Sequence, residues 1–151
     1  MIFIFIISLL FDFLLSYFIP LFNPVFVYLP LLFVSTVIVF LIYNLNNKKT
    51  KYYFYISIIY DFFFSNIHFV YILIFFVVYI EIIYIGKSIK NKTLLFLIGI
   101  LTFIFLKYLI ILFLYNYSIS FFYTSILLNL TVNIIYGMIL SYFLGIKNKK
   151  H

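Results

Sequence analysis

Residues 48–92 read KKTKYYFYISIIYDFFFSNIHFVYILIFFVVYIEIIYIGKSIKNK, an apolar run held between two clusters of lysine. Residues 52–86 alone would make one helix of roughly 52 Å at ~1.5 Å rise per residue, far longer than a ~30 Å hydrocarbon core. Lysine in short loops marks the cytoplasmic side of a membrane. With both flanks on that side, the chain between them crosses an even number of times. The segment therefore reads as a hairpin, turning at Ser65-Asn66, the polar pair near its middle.

The same reasoning extends outward in both directions. Nine of the ten cations fall in three clusters: Lys48, Lys49 and Lys51; Lys87, Lys90 and Lys92; Lys147, Lys149 and Lys150. Residues 93–146 turn near Asn116-Tyr117-Ser118, and residues 1–43 turn between Pro20 and Pro24, where proline punctuates the apolar run. The pattern predicts an all-α polytopic membrane protein, one integral domain over 1–151. Six transmembrane helices, about 2–19, 25–43, 52–64, 67–86, 93–115 and 119–146, form three hairpins with both termini cytoplasmic. Helix 3 is short and Pro30 lies inside helix 2, so either can be tilted or broken where protein covers the backbone. The amino end lacks the basic residue and small-residue cleavage site of a signal peptide, and Asp12 interrupts its apolar core.

Composition excludes several function classes. Only 9% of residues are charged and mean hydropathy is +1.31, whereas a soluble domain carries roughly a quarter charged residues. Ala, Arg, Trp, Gln and Cys are absent and Phe and Tyr abundant, a bias that matches an AT-rich genome. Without cysteine there is no disulfide, thiolate metal site or thiol nucleophile. The chain has no glycine-rich phosphate loop, no G-x-S-x-G and no H-E-x-x-H, so neither enzyme activity nor a cofactor is expected. The net charge of +7 suits anionic lipid headgroups and does not indicate nucleic acid.

Charges inside apolar spans need partners, because one at the bilayer centre costs ~2.5–3.5 kcal/mol on insertion scales. Asp12, Asp61 and Lys107 are the candidates. The simplest expectation is that Lys107 pairs with Asp12 or Asp61 inside the bundle. A proton or ion relay is the functional alternative. Glu81 reads as an inner-surface residue near Lys87 or Lys90, His68 as an outer-turn residue and His151 as a solvated end.

Two polar patterns rise above the bias. Ser8-Leu-Leu-Phe-Asp12-Phe-Leu-Leu-Ser16 matches Ser57-Ile-Ile-Tyr-Asp61-Phe-Phe-Phe-Ser65 by residue class at every position. Spacing of four puts Ser, Asp and Ser on one side of each helix. The pair reads either as the trace of an internal repeat or as convergent helix–helix glue. In helix 6, Ser125, Asn129, Asn133, Gly137, Ser141 and Gly145 recur every four residues. Small residues and Asn support close helix contact in lipid. This stripe either packs helix 6 onto its own bundle or docks another membrane protein. Gly99 and Thr102 give helix 5 a smaller contact face.

On these features the chain resembles the MreD family of bacterial rod-shape-determining membrane proteins. Matching segments are Ile19-Pro20 and Asn23-Pro24, and the basic turn Asn46-Asn-Lys-Lys-Thr-Lys51. They continue through Tyr55–Ser65 with Asp61 as the matching acid, and Leu127–Tyr136 with Asn129 and Asn133. Departures are Ser57 and Tyr53 where the family carries glycine, and Asn66-Ile67-His68 where a glycine usually follows the turn. The resemblance implies a non-catalytic subunit of the cell-wall elongation machinery in the plasma membrane. It implies an MreC-like bitopic partner, and a six-helix bundle similar to that of vitamin-transporter S components. An S component of an energy-coupling transporter is accordingly the rival expectation. A third is an organelle-encoded respiratory-chain subunit, with Lys107 and an Asp lining a proton path.

Overall fold

The computed structural model is all-helical over its described residues, which are 2–22, 32–45, 51–64, 69–115 and 119–148. Six helices follow in chain order: α1 (Ile2–Phe22), α2 (Leu32–Tyr43), α3 (Lys51–Phe64), α4 (Val70–Gly86), α5 (Lys92–Tyr115) and α6 (Ile119–Asn148). Lys92–Phe113 and Ile126–Leu144 are long and apolar enough to cross a membrane. Phe3–Leu14, Leu32–Tyr43 and Val70–Gly86 are shorter apolar segments.

Helix limits differ from the sequence expectation at several ends: α6 reaches Asn148 rather than 146, and 25–31, the expected start of helix 2, lies outside the described residues. Helix α1 continues past Ile19 through Pro20 to Phe22 rather than stopping at the first proline. Helix α4 begins at Val70, not 67, because Phe69 adopts a left-handed conformation (φ 74°, ψ −8°) that no helix can contain. The expected turns at Asn23-Pro24, Ser65-Asn66 and Asn116-Tyr117-Ser118 lie outside the described residues, as do Pro30, Lys48, Lys49, His68, Lys149, Lys150 and His151.

Helix α2 is the centre of the bundle. Every residue from Phe33 to Ile42 is buried, on all sides of the helix. A helix that is apolar all round must be enclosed, and α1, α3, α5 and α6 all pack against it. Helix α5 is the second core element, touching α2, α4 and α6. Gly99 of α5 lets these helices close up: a Cβ there would lie 2.9 Å from Ile82 Cδ1 of α4 and 3.2 Å from Ile38 Cγ2 of α2. Between α3, α4 and α5 the filling is aromatic, with Phe75 against Tyr53, Tyr60 and Phe103 at ring separations of 5.5, 5.7 and 4.9 Å.

The outside is as apolar as the inside. Phe3, Phe62, Leu73, Phe105, Phe113 and Phe143 are all more than half exposed. Lysine gathers at the α4–α5 turn, where Asn91 Oδ1 caps α5 by accepting the Thr93 and Leu94 N–H groups at 3.0 and 3.3 Å. Lys92 Nζ lies 4.1 Å from the centre of the Tyr43 ring. The Tyr43 hydroxyl in turn donates to the Ser141 carbonyl at 3.0 Å, joining the ends of α2, α5 and α6.

Candidate functional site

Buried polar side chains lie on α1, α2, α3, α5 and α6, and one of them sits at the amino end of α2. The first N–H groups of a helix have no partner within it, and its amino end carries partial positive charge. Asp12, midway along α1 and 2% exposed, answers both needs. The Leu32 N–H donates to Asp12 Oδ1 at 2.8 Å, and the Phe33 N–H donates to Oδ2 at 2.9 Å. Asp61 does the same for α4. It accepts the Phe69 N–H at 2.7 Å and the Tyr71 N–H at 2.8 Å. These two hydrogen bonds flank Phe69 in its left-handed conformation, which a bulky residue adopts only when its surroundings demand it.

Lys107, in α5, is 5% exposed. Asp12 is the acid within electrostatic reach of it, and its ammonium lies 5.5 Å from the Tyr108 ring centre. Among the described residues no lysine and carboxylate come within 4.0 Å of each other. The direct Lys107–Asp pair expected from the sequence is thus replaced by a looser arrangement. Both carboxylates are taken by backbone amides, and Lys107 balances Asp12 from a distance. Backbone N–H groups win because two charge-assisted hydrogen bonds at one carboxylate outweigh a single lysine contact.

The middle of the helix-6 stripe, Asn129, Asn133 and Gly137, faces inward. Asn129 and Asn133 are each 1% exposed. Ser35 Oγ of α2 donates to Asn133 Oδ1 at 2.7 Å, and Asn133 Nδ2 donates to the Asn129 carbonyl at 2.8 Å and to its Oδ1 at 2.6 Å. Asn129 Nδ2 donates to the Tyr108 hydroxyl of α5 at 3.2 Å. This chain of bonds ties α2, α6 and α5 together. One turn further, Thr36 and Tyr136 share a hydrogen bond of 3.2 Å. A Cβ at Gly137 would run into the Phe96 ring. Ser141 is half-buried, and the side chain of Ser125 lies outside the described residues. For Asn129, Asn133 and Gly137, the contacts are those of packing within the bundle. Asn133 bonds to α2 and Asn129 to α5.

Glu81 departs from its expected place beside Lys87 or Lys90. Its Oε1 accepts the Thr102 hydroxyl of α5 at 3.0 Å, and its buried Oε2 has no hydrogen-bond partner among the described residues. Sequence reasoning missed Ser35 and Thr36, although they are the polar pair of α2. It also missed the parts played by Tyr60 and Tyr108, hidden among 16 tyrosines. Tyr60 is fully buried and stacks on Phe33, with ring centres 5.4 Å apart and planes 7° from parallel.

Chemically, the arrangement can cap helices and lock them together. A groove of about 560 Å³ runs between α5 and α6, with Phe105, Leu112, Phe113 and Ile126 among its apolar walls. Among the described residues no three His, Cys, Asp or Glu side chains converge as metal ligands. No protein-family model, curated protein or solved structure matches the chain.

Proposed function

We propose that the chain is a six-span protein of the bacterial plasma membrane, with both termini cytoplasmic. In this reading it is a non-catalytic scaffold subunit of the cell-wall elongation machinery. The membrane part of the reading is supported by an outer surface of exposed Phe, Ile, Leu and Tyr, which water would not tolerate over so large an area. The lysine clusters at one set of helix ends suit anionic headgroups. The cell-shape part rests on the resemblance to MreD in the segments around Asp61 and Asn129-to-Tyr136.

One observation favours a scaffold over a transporter. Transporters with broken helices receive anionic substrate groups at half-helix amino ends near mid-membrane. Here the amino end of the 12-residue α2 lies beside the middle of α1, and the chain's own Asp12 occupies its amides. The position open to substrate in such a transporter is filled by a built-in carboxylate. Asp61 is likewise consumed by α4, which weighs against a proton path through either acid. The Asn stripe is spent on internal bonds. A bitopic MreC-like partner would therefore meet the outward face of a helix, such as Ile135, Met138 and Tyr142 of α6.

Depletion of the protein in a rod-shaped host tests the reading. Cells should round up, and the tagged chain should co-purify with a bitopic partner of the elongation complex. Rods that keep their shape, together with a vitamin-dependent rise in melting temperature of the purified chain, would replace it with the S-component reading.

A further inference from the structure

We infer that α1–α2 and α3–α4 are two copies of one clasped hairpin. In each, the carboxylate of a Ser-x-x-x-Asp helix seizes the first amides of the next helix and sets where along the first helix the second begins. Three independent features coincide in the two copies. Ser8 Oγ donates to the Phe5 carbonyl at 3.0 Å, and Ser57 Oγ donates to the Phe54 carbonyl at 2.8 Å, the same bond at the same distance from the acid. Each Asp accepts two backbone N–H bonds, one on each oxygen. Surface pattern also repeats around the acid: Leu10 and Ile59, Phe13 and Phe62, and Leu14 and Phe63 are exposed in matching positions, while Ser8 and Ser57, like the two acids, are buried.

The second helices of both copies, α2 and α4, pack against α5. The copies differ in where the clasp sits. Asp12 is ten residues from the end of α1, about 15 Å, whereas Asp61 is three residues from the end of α3, about 4.5 Å. Helix α2 accordingly starts deep in the bundle, and α4 starts near the turn. They differ also at two positions before the acid: Leu9 packs on the core while Ile58 is exposed, and Phe11 is exposed while Tyr60 is buried on Phe33.

Hydrogen–deuterium exchange on the full chain in lipid nanodiscs tests this independently of the cell-shape reading. In the native chain the amides of Leu32, Phe33, Phe69 and Tyr71 should exchange about 100-fold more slowly than those of Thr93 and Leu94, whose acceptor is the exposed Asn91. D12N should speed Leu32 and Phe33 about tenfold and leave Phe69 and Tyr71 within about threefold, and D61N should do the reverse. Writing the second clasp into the first (L9I, L10I, F11Y, L14F and L15F together) should keep Leu32 and Phe33 slow. The inference is overturned if the four native amides exchange as fast as Thr93 and Leu94. It is equally overturned if the transplant frees Leu32 and Phe33 while Phe69 and Tyr71 stay protected. The native comparison and the transplant decide the matter even where D12N does not fold.

Discussion

Replacing Asp12 by Asn keeps the side chain's shape and removes its charge. An amide offers one acceptor oxygen and turns an N–H toward the second α2 amide, so one of the bonds at 2.8 and 2.9 Å is lost. A hydrogen bond to a charged group contributes about 1.5–3 kcal/mol. The change also leaves Lys107 without its counter-charge. A lone lysine costs about 2.5–3.5 kcal/mol at the bilayer centre and less toward either surface, and protein surroundings with the Tyr108 ring at 5.5 Å bring the figure for Lys107 to about 1–2 kcal/mol. D12N should therefore destabilise the chain by about 3–5 kcal/mol. K107M alone should cost about 1–2 kcal/mol, yet added to D12N it should restore about that much. D61N should lose about 2–3 kcal/mol, with no rescue from K107M, because Asp12 is the acid that reaches Lys107. Reversible unfolding in mixed detergent–SDS micelles, followed by far-ultraviolet circular dichroism, measures all five variants. The chain has no tryptophan to report by fluorescence. A D12N–K107M coupling below about 0.5 kcal/mol would refute the charge balance, since independent sites add within that margin.

Other substitutions probe the seam and the topology. N133L should cost about 1–3 kcal/mol by taking the partner of the Ser35 hydroxyl and one bond from Asn129 Oδ1, and S35A added to it should recover part of the loss; the same unfolding titration reads both. G137A should cost about 1–3 kcal/mol because the Phe96 ring must move, and F96L should relieve it, which a thermal melt in detergent detects. Because the chain lacks cysteine, single cysteines at Lys48, Lys90 and Asn116 give clean labelling sites. A membrane-impermeant maleimide on intact cells should modify the one at 116 and spare the other two.

Much of the helical framework can be read along the chain. The lysine clusters, the long apolar runs and the polar breaks between them predict six helices, and the structure has six over its described residues. These features are local: hydropathy and charge act on each segment before any neighbour is present. Proline was a weaker guide, since α1 runs through Pro20. The importance of Asp12 and Asp61 is also visible, because a buried acid among apolar residues demands a partner.

Which partner each acid takes is not encoded near it. The Leu32 N–H is twenty residues from Asp12, and a backbone amide carries no sequence signature. It becomes a donor in need only where a helix happens to begin. Likewise, a four-residue stripe on α6 looks the same whether it faces α2 or a foreign helix. Its direction was settled by Ser35, Thr36 and Tyr108, ordinary residues of other helices that meet Asn129, Asn133 and Tyr136 only after the bundle closes. Segment identity thus follows from the energetics of single residues in an apolar run. The pairing of polar groups follows from geometry that all six helices make jointly, because a hydrogen bond is won or lost over a few tenths of an ångström.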